Sequence, residues 1–235
     1  MPGPVALIGA GEFLPGMVAL DRDLLAVSGR ARPRVAILPT ASAPDGEAIF
    51  RRWAEQGCDH FAALGAEVEP VLVRSVAEGF DPAALQATGE ADLIYLSGGK
   101  PGHLRDVLAG SPLGEAIRAA HARGAVIAGC SAGAMVLAGW QLDFRRGRPP
   151  WRARWSPAQG LVAGVAVLPH YNAWPEPVLA LMALQAPSGI VVLGLDEDTA
   201  AVLFGDTWQV HGRGRVTTWR GRRHERFRQG EAFRL

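Results

Sequence analysis

The sequence predicts an α/β protein: a mostly parallel sheet with helices on both faces, finished by a C-terminal antiparallel β extension. Three observations carry this. Short apolar runs alternate with helix-forming segments from Val5 to Leu195, as they do in βαβ units. One of these runs ends in a glycine-flanked turn and opens directly onto a helix former, Gly124 to Ala138. Beyond Thr199 the chain changes to short strands separated by Gly205-Asp206 and Gly212-Arg213-Gly214, which is hairpin chemistry.

The 235 residues are 49% hydrophobic and 20% charged, within the range of a globular protein. No composition shift or linker divides them, so one domain is expected over 1–235. A net charge of +1 gives no global field for nucleic acid or an anionic membrane. The basic run Arg220 to Arg228 reads as a solvated terminal face. Cys58 and Cys130 make neither a disulfide framework nor a metal spacing. Val5 to Ile8 is too short for a secretory leader, and no run reaches membrane-spanning length. A reduced, cytoplasmic protein is expected.

Pro4 to Ala10 reads as a buried first strand. The following Gly9-Ala10-Gly11-Glu12 lacks the third glycine of a dinucleotide fingerprint and reads as a tight turn. Arg34 to Pro39 is the second strand, Thr40 to Asp45 a polar loop, and Gly46 to Leu64 a helix stopped by Gly65. Val68 to Val73 is a third strand. Asp81 caps a helix beginning at Pro82. Ala91 to Leu96 is a fourth strand running into Ser97-Gly98-Gly99-Lys100. Helices follow over Gly102–Leu108 and Pro112–Arg123.

Gly139 to Gly160 reads as one long loop carrying Trp140, Trp151, Trp155, Arg145, Arg146, Arg148, Arg152 and Arg154 around Pro149-Pro150. Long loops in compact domains are often functional. Val165 to Pro169 is a strand, Pro175 to Ala186 a helix and Ile190 to Leu195 a strand. Ala200–Phe204, Thr207–His211 and Arg215–Trp219 form a ribbon along one sheet edge.

The chemistry centres on Gly129-Cys130-Ser131-Ala132-Gly133, the Gly-x-Ser-x-Gly form of a nucleophile elbow. The glycines give a sharp strand-to-helix turn room, and the turn lifts the serine hydroxyl off the sheet edge. It also sets helix-start amides beside the site of a developing oxyanion. A serine nucleophile needs a base. Among six histidines, His170 alone follows a strand and opens a loop, whereas His60 sits in a helix and reads as surface. The base needs a carboxylate, and Asp196, Glu197 and Asp198 cluster after another strand. The Ala132 amide would share the oxyanion with Gly98 or Gly99. No metal constellation or phosphate loop is present, so no cofactor is expected. The order serine, histidine, acid disfavours an α/β-hydrolase, which runs serine, acid, histidine.

Four stretches carry a resemblance. They are Leu38-Pro39-Thr40-Ala41-Ser42, Leu96-Ser97-Gly98-Gly99, Ala128 to Ala134, and Gly194 to Ala200. In this order they resemble the cyanophycinase/dipeptidase E family of serine peptidases, whose flavodoxin-like sheet is shared with class I glutamine amidotransferases. The resemblance implies Ser131 as nucleophile, His170 as base, Glu197 as third member, and Gly99 with Ala132 as oxyanion donors. It implies hydrolysis beside aspartyl residues of small peptides. Gly98, Lys100, Tyr171 and Asn172 would border the substrate.

There are departures. Tyr171 keeps the family's aromatic, but Asn172-Ala173-Trp174-Pro175-Glu176 replaces its substrate-binding arginines. Lys100, the single lysine, stands where the family carries other residues; as a point charge it would suit a substrate carboxylate. The expectation is therefore an exopeptidase or dipeptidase for aspartyl-type peptides. The alternatives are an amidase or esterase with a pocket rebuilt by 140–174, or a binding relative with a degenerate triad. Assembly is left open between the homodimers of cyanophycinases and the monomers of the dipeptidases.

Overall fold

The computed structural model describes residues 1–143 and 152–235. In chain order its first half comprises β1 (Val5–Ile8), α1 (Val18–Ala26), β2 (Arg34–Leu38), α2 (Glu47–Ala63), β3 (Glu67–Pro70), α3 (Pro82–Glu90), β4 (Leu93–Leu96), α4 (Pro101–Ala109), α5 (Pro112–Arg123), β5 (Val126–Cys130) and α6 (Ala132–Leu137). The second half comprises β6 (Ala138–Leu142), β7 (Trp155–Pro157), β8 (Val162–Leu168), α7 (Glu176–Ala183), β9 (Val191–Leu195), β10 (Thr199–Phe204), β11 (Thr207–Gly212), β12 (Arg215–Arg220), β13 (Arg223–Arg228) and β14 (Ala232–Phe233).

The first sheet has eight strands in the order β14-β11-β10-β1-β5-β4-β2-β3. From β1 to β3 its pairs are parallel, and β10, β11 and β14 continue it antiparallel. Strand alternation builds two cores. Ala6, Ile8, Val35, Ile37, Leu93 and Tyr95 face Leu20 and Leu24 of α1 and Phe61 of α2. Leu7, Ala36, Leu38, Ile94, Leu96 and Ile127 face the other way, among Leu104, Leu108, Leu113 and Ile117 of α4 and α5. Each fully buried aliphatic side chain stabilises by about 1.5–3 kcal/mol, so these alternating faces fix the register.

Helix ends follow local chemistry. An Asp81 side-chain oxygen accepts from the Ala84 amide at 3.1 Å. Gly124 closes α5 with φ +112°, a left-handed cap that favours glycine. By contrast, α1 has Met17 at its N-cap position and no side-chain cap. The sequence offers no start signal there, and the helix forms because Leu20, Leu24 and Leu25 bury against the sheet.

Two expectations are corrected. The stretch from 139 to 160 is not one loop: β6 and β7 pair antiparallel within it, Trp140 opposite Pro157 and Leu142 opposite Trp155. Arg145, Arg146, Arg148, Pro149, Pro150 and Trp151 lie outside the described residues. Further, the strands beginning near Val165 and Ile190 do not extend the first sheet. They are β8 and β9 of a second, six-stranded sheet ordered β13-β12-β9-β8-β6-β7. The C-terminal ribbon is accordingly shared, with β10, β11 and β14 edging the first sheet and β12 and β13 the second. The basic run Arg220 to Arg228 covers the end of β12, the turn after it and β13, an exposed edge strand. No helix among the described residues is long and apolar enough to cross a membrane.

Candidate active site

The elbow forms as its glycines require. A Cβ on Gly133 would lie 2.3 Å from the Leu96 carbonyl oxygen, and one on Gly129 would lie 2.6 Å from the Gly133 carbonyl carbon. Only glycine lets α6 start this close to β4 and β5. Ser131 itself is held at φ +50°, ψ −104°, a sparsely populated conformation for a side-chain-bearing residue. His170, at φ +51°, and Asp198, at φ +51°, are also left-handed.

Ser131 Oγ lies 3.0 Å from His170 Nε2, and His170 Nδ1 lies 2.9 Å from Glu197 Oε1. A carboxylate only accepts, so Nδ1 carries the proton and Nε2 is free to accept from the serine hydroxyl. The serine comes from the first sheet, at the end of β5. His170 follows β8 and Glu197 follows β9, both in the second sheet. The backbone from Asp196 to Asp198 is the crossing between the sheets. It is sealed by Gly9 N–H donating to Thr199 O at 2.9 Å and Asp198 N–H donating to Ala10 O at 3.1 Å. A Cβ on Gly9 would lie 2.1 Å from the Asp196 carbonyl oxygen. The Gly-Ala-Gly turn is thus packed against this crossing, as a tight turn would be.

The three acidic neighbours separate by partner. Asp196 accepts from the Arg215 amide at 2.9 Å and Asp198 pairs with Arg213; both are buried. Only Glu197 reaches His170.

The amides beside Ser131 are accounted for one by one. Ser97 N–H donates to Leu38 O at 3.1 Å, Lys100 N–H to Ala41 O at 2.7 Å and Ser131 N–H to Ile8 O at 2.9 Å. Gly98 N–H donates to Glu12 Oε1 at 2.9 Å. The Gly99 and Ala132 amides have no hydrogen-bond partner among the described residues. Gly99 needs its φ of +141°, and a Cβ there would lie 2.3 Å from the Ala41 carbonyl oxygen.

A cavity of about 980 Å³ opens in front of Ser131 and His170, bordered by Gly98, Gly99 and residues 10–14. Its far wall is one face of α2, carrying Ile49, Arg52, Trp53, Gln56, Asp59 and His60. This wall was not foreseen. Its signal was the i, i+3, i+4, i+7 spacing of that face beside a strand-end nucleophile. His60 is not a surface residue: its side chain is 10% exposed and bonds Asp21 at 2.8 Å. Burial pushes the Asp21 carboxyl up, against the lowering hydrogen bond from His60.

Of the four residues expected to border the substrate, Gly98 borders the cavity and the other three do not. The Gly98 amide is occupied by Glu12. The Lys100 ammonium pairs with Asp45 at 3.1 Å, and Lys100 does not line the cavity. Asn172 Oδ1 accepts from the Glu197 amide at 2.8 Å, so it anchors the acid's backbone. Tyr171 is buried, its hydroxyl accepting from Trp219 Nε1 at 3.0 Å. It packs over Gly194, where a Cβ would lie 2.3 Å from its ring. Both side chains serve the second sheet.

Residues 5–211 match peptidase family S51. A cyanophycinase from Trichormus variabilis is 30% identical over 219 residues, 91% of this chain and 72% of that one. A cyanophycinase from Geminocystis herdmanii is 32% identical over 215 residues, 89% of this chain and 77% of that one. Among solved structures, a peptidase from an acI-B1 actinobacterium has a TM-score of 0.88 at 30% identity, covering 100% of this chain and 98% of that one. A putative peptidase E from Listeria monocytogenes has a TM-score of 0.65 at 19% identity, covering 91% and 100%, a likeness of fold. The chain belongs to peptidase family S51 and is a serine-type peptidase.

Proposed function

We propose that this peptidase is an exopeptidase or dipeptidase that cleaves small aspartyl-type peptides through Ser131, His170 and Glu197. The observation that carries the reading is the continuous relay from Ser131 Oγ through His170 to Glu197; the Gly99 and Ala132 amides have no partner among the described residues. Ser131 attacks the scissile carbonyl carbon as His170 Nε2 takes its proton. Glu197 stabilises the imidazolium, and the Gly99 and Ala132 amides receive the oxyanion. His170 then protonates the leaving amine, and the acyl-enzyme forms. Water enters, gives a proton to His170, and releases the acid product while Ser131 regains its proton.

The acidic preference rests on Arg52. Among the described residues it has no ion-pair partner, and it lines the cavity. It would take over from the arginines that the 172–176 segment lacks. A carboxylate suits a guanidinium fork well. The cavity volume suits a short peptide rather than a folded substrate.

Fluorophosphonate labelling read by intact mass tests the relay. A single adduct is expected on the wild type and none on Ser131→Ala or His170→Ala. Adduct formation on Ser131→Ala would refute the assignment of the nucleophile. A panel of α- and β-aspartyl dipeptides, neutral dipeptides, amides and esters then tests the substrate. Turnover confined to amides or esters would favour the amidase or esterase reading.

A further inference from the structure

Glu12 is a buried carboxylate with no role in the relay, yet both of its oxygens are committed to the loops around it. Oε1 accepts from the Gly98 amide at 2.9 Å. Oε2 accepts from the Cys130 thiol at 2.7 Å, on the residue preceding Ser131. Burial, and after it the Glu12 charge, pushes the Cys130 thiol well above its ordinary range, so the sulfur stays protonated and donates. A Cβ at position 98 would lie 2.8 Å from Glu12 Oε1, so the carboxylate would have to shift to admit it.

We propose that Glu12 is a positioning residue for the oxyanion hole: by accepting from the Gly98 amide it turns the Gly99 amide toward Ser131. The assignment rests on the peptidase mechanism proposed above. Four consecutive amides run past the cavity. Those of Ser97, Gly98 and Lys100 are each tied to a fixed acceptor, which leaves Gly99 alone to face the cavity. Two of the three acceptors are backbone carbonyls held by the sheet or the turn after β2. Glu12 is the third, and the one that a substitution can remove. Without it the Gly98 amide is free to rotate inward, and the Gly99 amide to rotate away. The requirement is for an acceptor at Oε1, not for a charge. A glutamine meets it, with its carbonyl oxygen toward Gly98 and its NH₂ toward the Cys130 sulfur.

The test uses the full chain and an activated ester substrate, with active sites counted by the phosphonyl adduct. Glu12→Ala is expected to lower kcat per active site by about 10²-fold, the typical loss for one oxyanion donor, with KM changed by less than about threefold. Glu12→Gln is expected to recover kcat to within about tenfold of wild type. A purely structural Glu12 would lower the melting temperature and the fraction of active sites but leave kcat per site unchanged, and that result overturns the proposal. Glu12→Gln as slow as Glu12→Ala overturns the acceptor role. Amide NMR on the wild type answers the same question should Glu12→Ala not fold. Phosphonylation is expected to shift the Gly99 and Ala132 amide protons downfield and to leave Gly98 in place; a Gly98 shift as large as that of Gly99 overturns the proposal. A wild type that labels normally while these predictions fail refutes Glu12 alone, whereas a wild type that forms no adduct refutes the mechanism beneath it.

Discussion

His170 selects one carboxylate from three neighbours by geometry, and the selection has measurable consequences. Glu197→Gln can present an NH₂ to Nδ1, which forces the proton onto Nε2 and removes the acceptor for the serine hydroxyl. Its kcat should fall by about 10⁴-fold with the fold intact, the loss seen when a triad acid becomes an amide. Asp196→Ala should behave differently. It removes the side-chain acceptor of the part-buried Arg215 amide, a hydrogen bond worth about 0.5–1.5 kcal/mol. The melting temperature should drop while the Ser131 adduct still forms. A normal adduct yield from Glu197→Gln and none from Asp196→Ala would reverse the assignment. Ser131 supplies a further check, because its φ of +50° is disfavoured for any residue bearing a Cβ. Ser131→Gly should therefore be more stable than Ser131→Ala by about 1 kcal/mol, by relief of backbone strain, with both inactive. Equal denaturation midpoints would mean that the elbow stores no strain.

The elbow depends on how closely α6 approaches β4. Gly133→Ala sets a methyl group 2.3 Å from the Leu96 carbonyl oxygen, so α6 must withdraw. Overpacking of this kind costs about 1–3 kcal/mol. The withdrawal separates the Ala132 amide from the Gly99 amide, so labelling should slow along with the loss in stability; unchanged labelling would mean that the elbow tolerates the added methyl. At its N-terminus α2 is tied to the loop after β3 by Arg74, which bonds Glu47 at 3.0 Å and Glu78 at 2.8 Å. The hydrogen bond from Arg74 holds both carboxyls below their ordinary value. Folding therefore favours their ionised forms. This contribution is present above pH 4.5, the ordinary glutamate value, and is lost as pH falls through the lowered values. Arg74→Ala should flatten the fall of melting temperature between roughly pH 5 and 3. A parallel offset at all pH values would deny the linkage.

The two sheets share one core. Leu7, Ile94 and Leu96 of the first belong to the same buried cluster as Val165, Val167, Leu193 and Val216 of the second. The site is built across their junction, with Ser131 on one side and His170 and Glu197 on the other. Neither sheet holds the relay alone. Thermal unfolding followed by far-UV circular dichroism and by tryptophan fluorescence should give coincident transitions. Separate midpoints would show that the second sheet melts independently, and activity would then be lost at the lower of the two.

Much of this was legible in the chain because the signals are local. Gly129 and Gly133 around Ser131 are dictated by contacts within a single strand-turn-helix, and the alternation in Val35 to Leu38 or Leu93 to Leu96 specifies a strand whatever lies around it. The position of His170 after a strand, β8, follows from the same logic. What stayed hidden depends on contacts between segments distant in sequence. The α1 helix carries no cap and forms because it is buried. β6 is held by β7 and β8, neither of which adjoins it in sequence, and β8 and β9 look alike whether they extend one sheet or found another. Tyr171, Asn172 and Lys100 sit beside the site in sequence, but their side chains are claimed by Trp219, the Glu197 amide and Asp45. Glu12 lies 118 residues from Cys130 and 86 from Gly98. Composition and spacing determine which chemistry the chain can carry, whereas hydrogen-bond partners are determined by distance in space, which folding alone supplies.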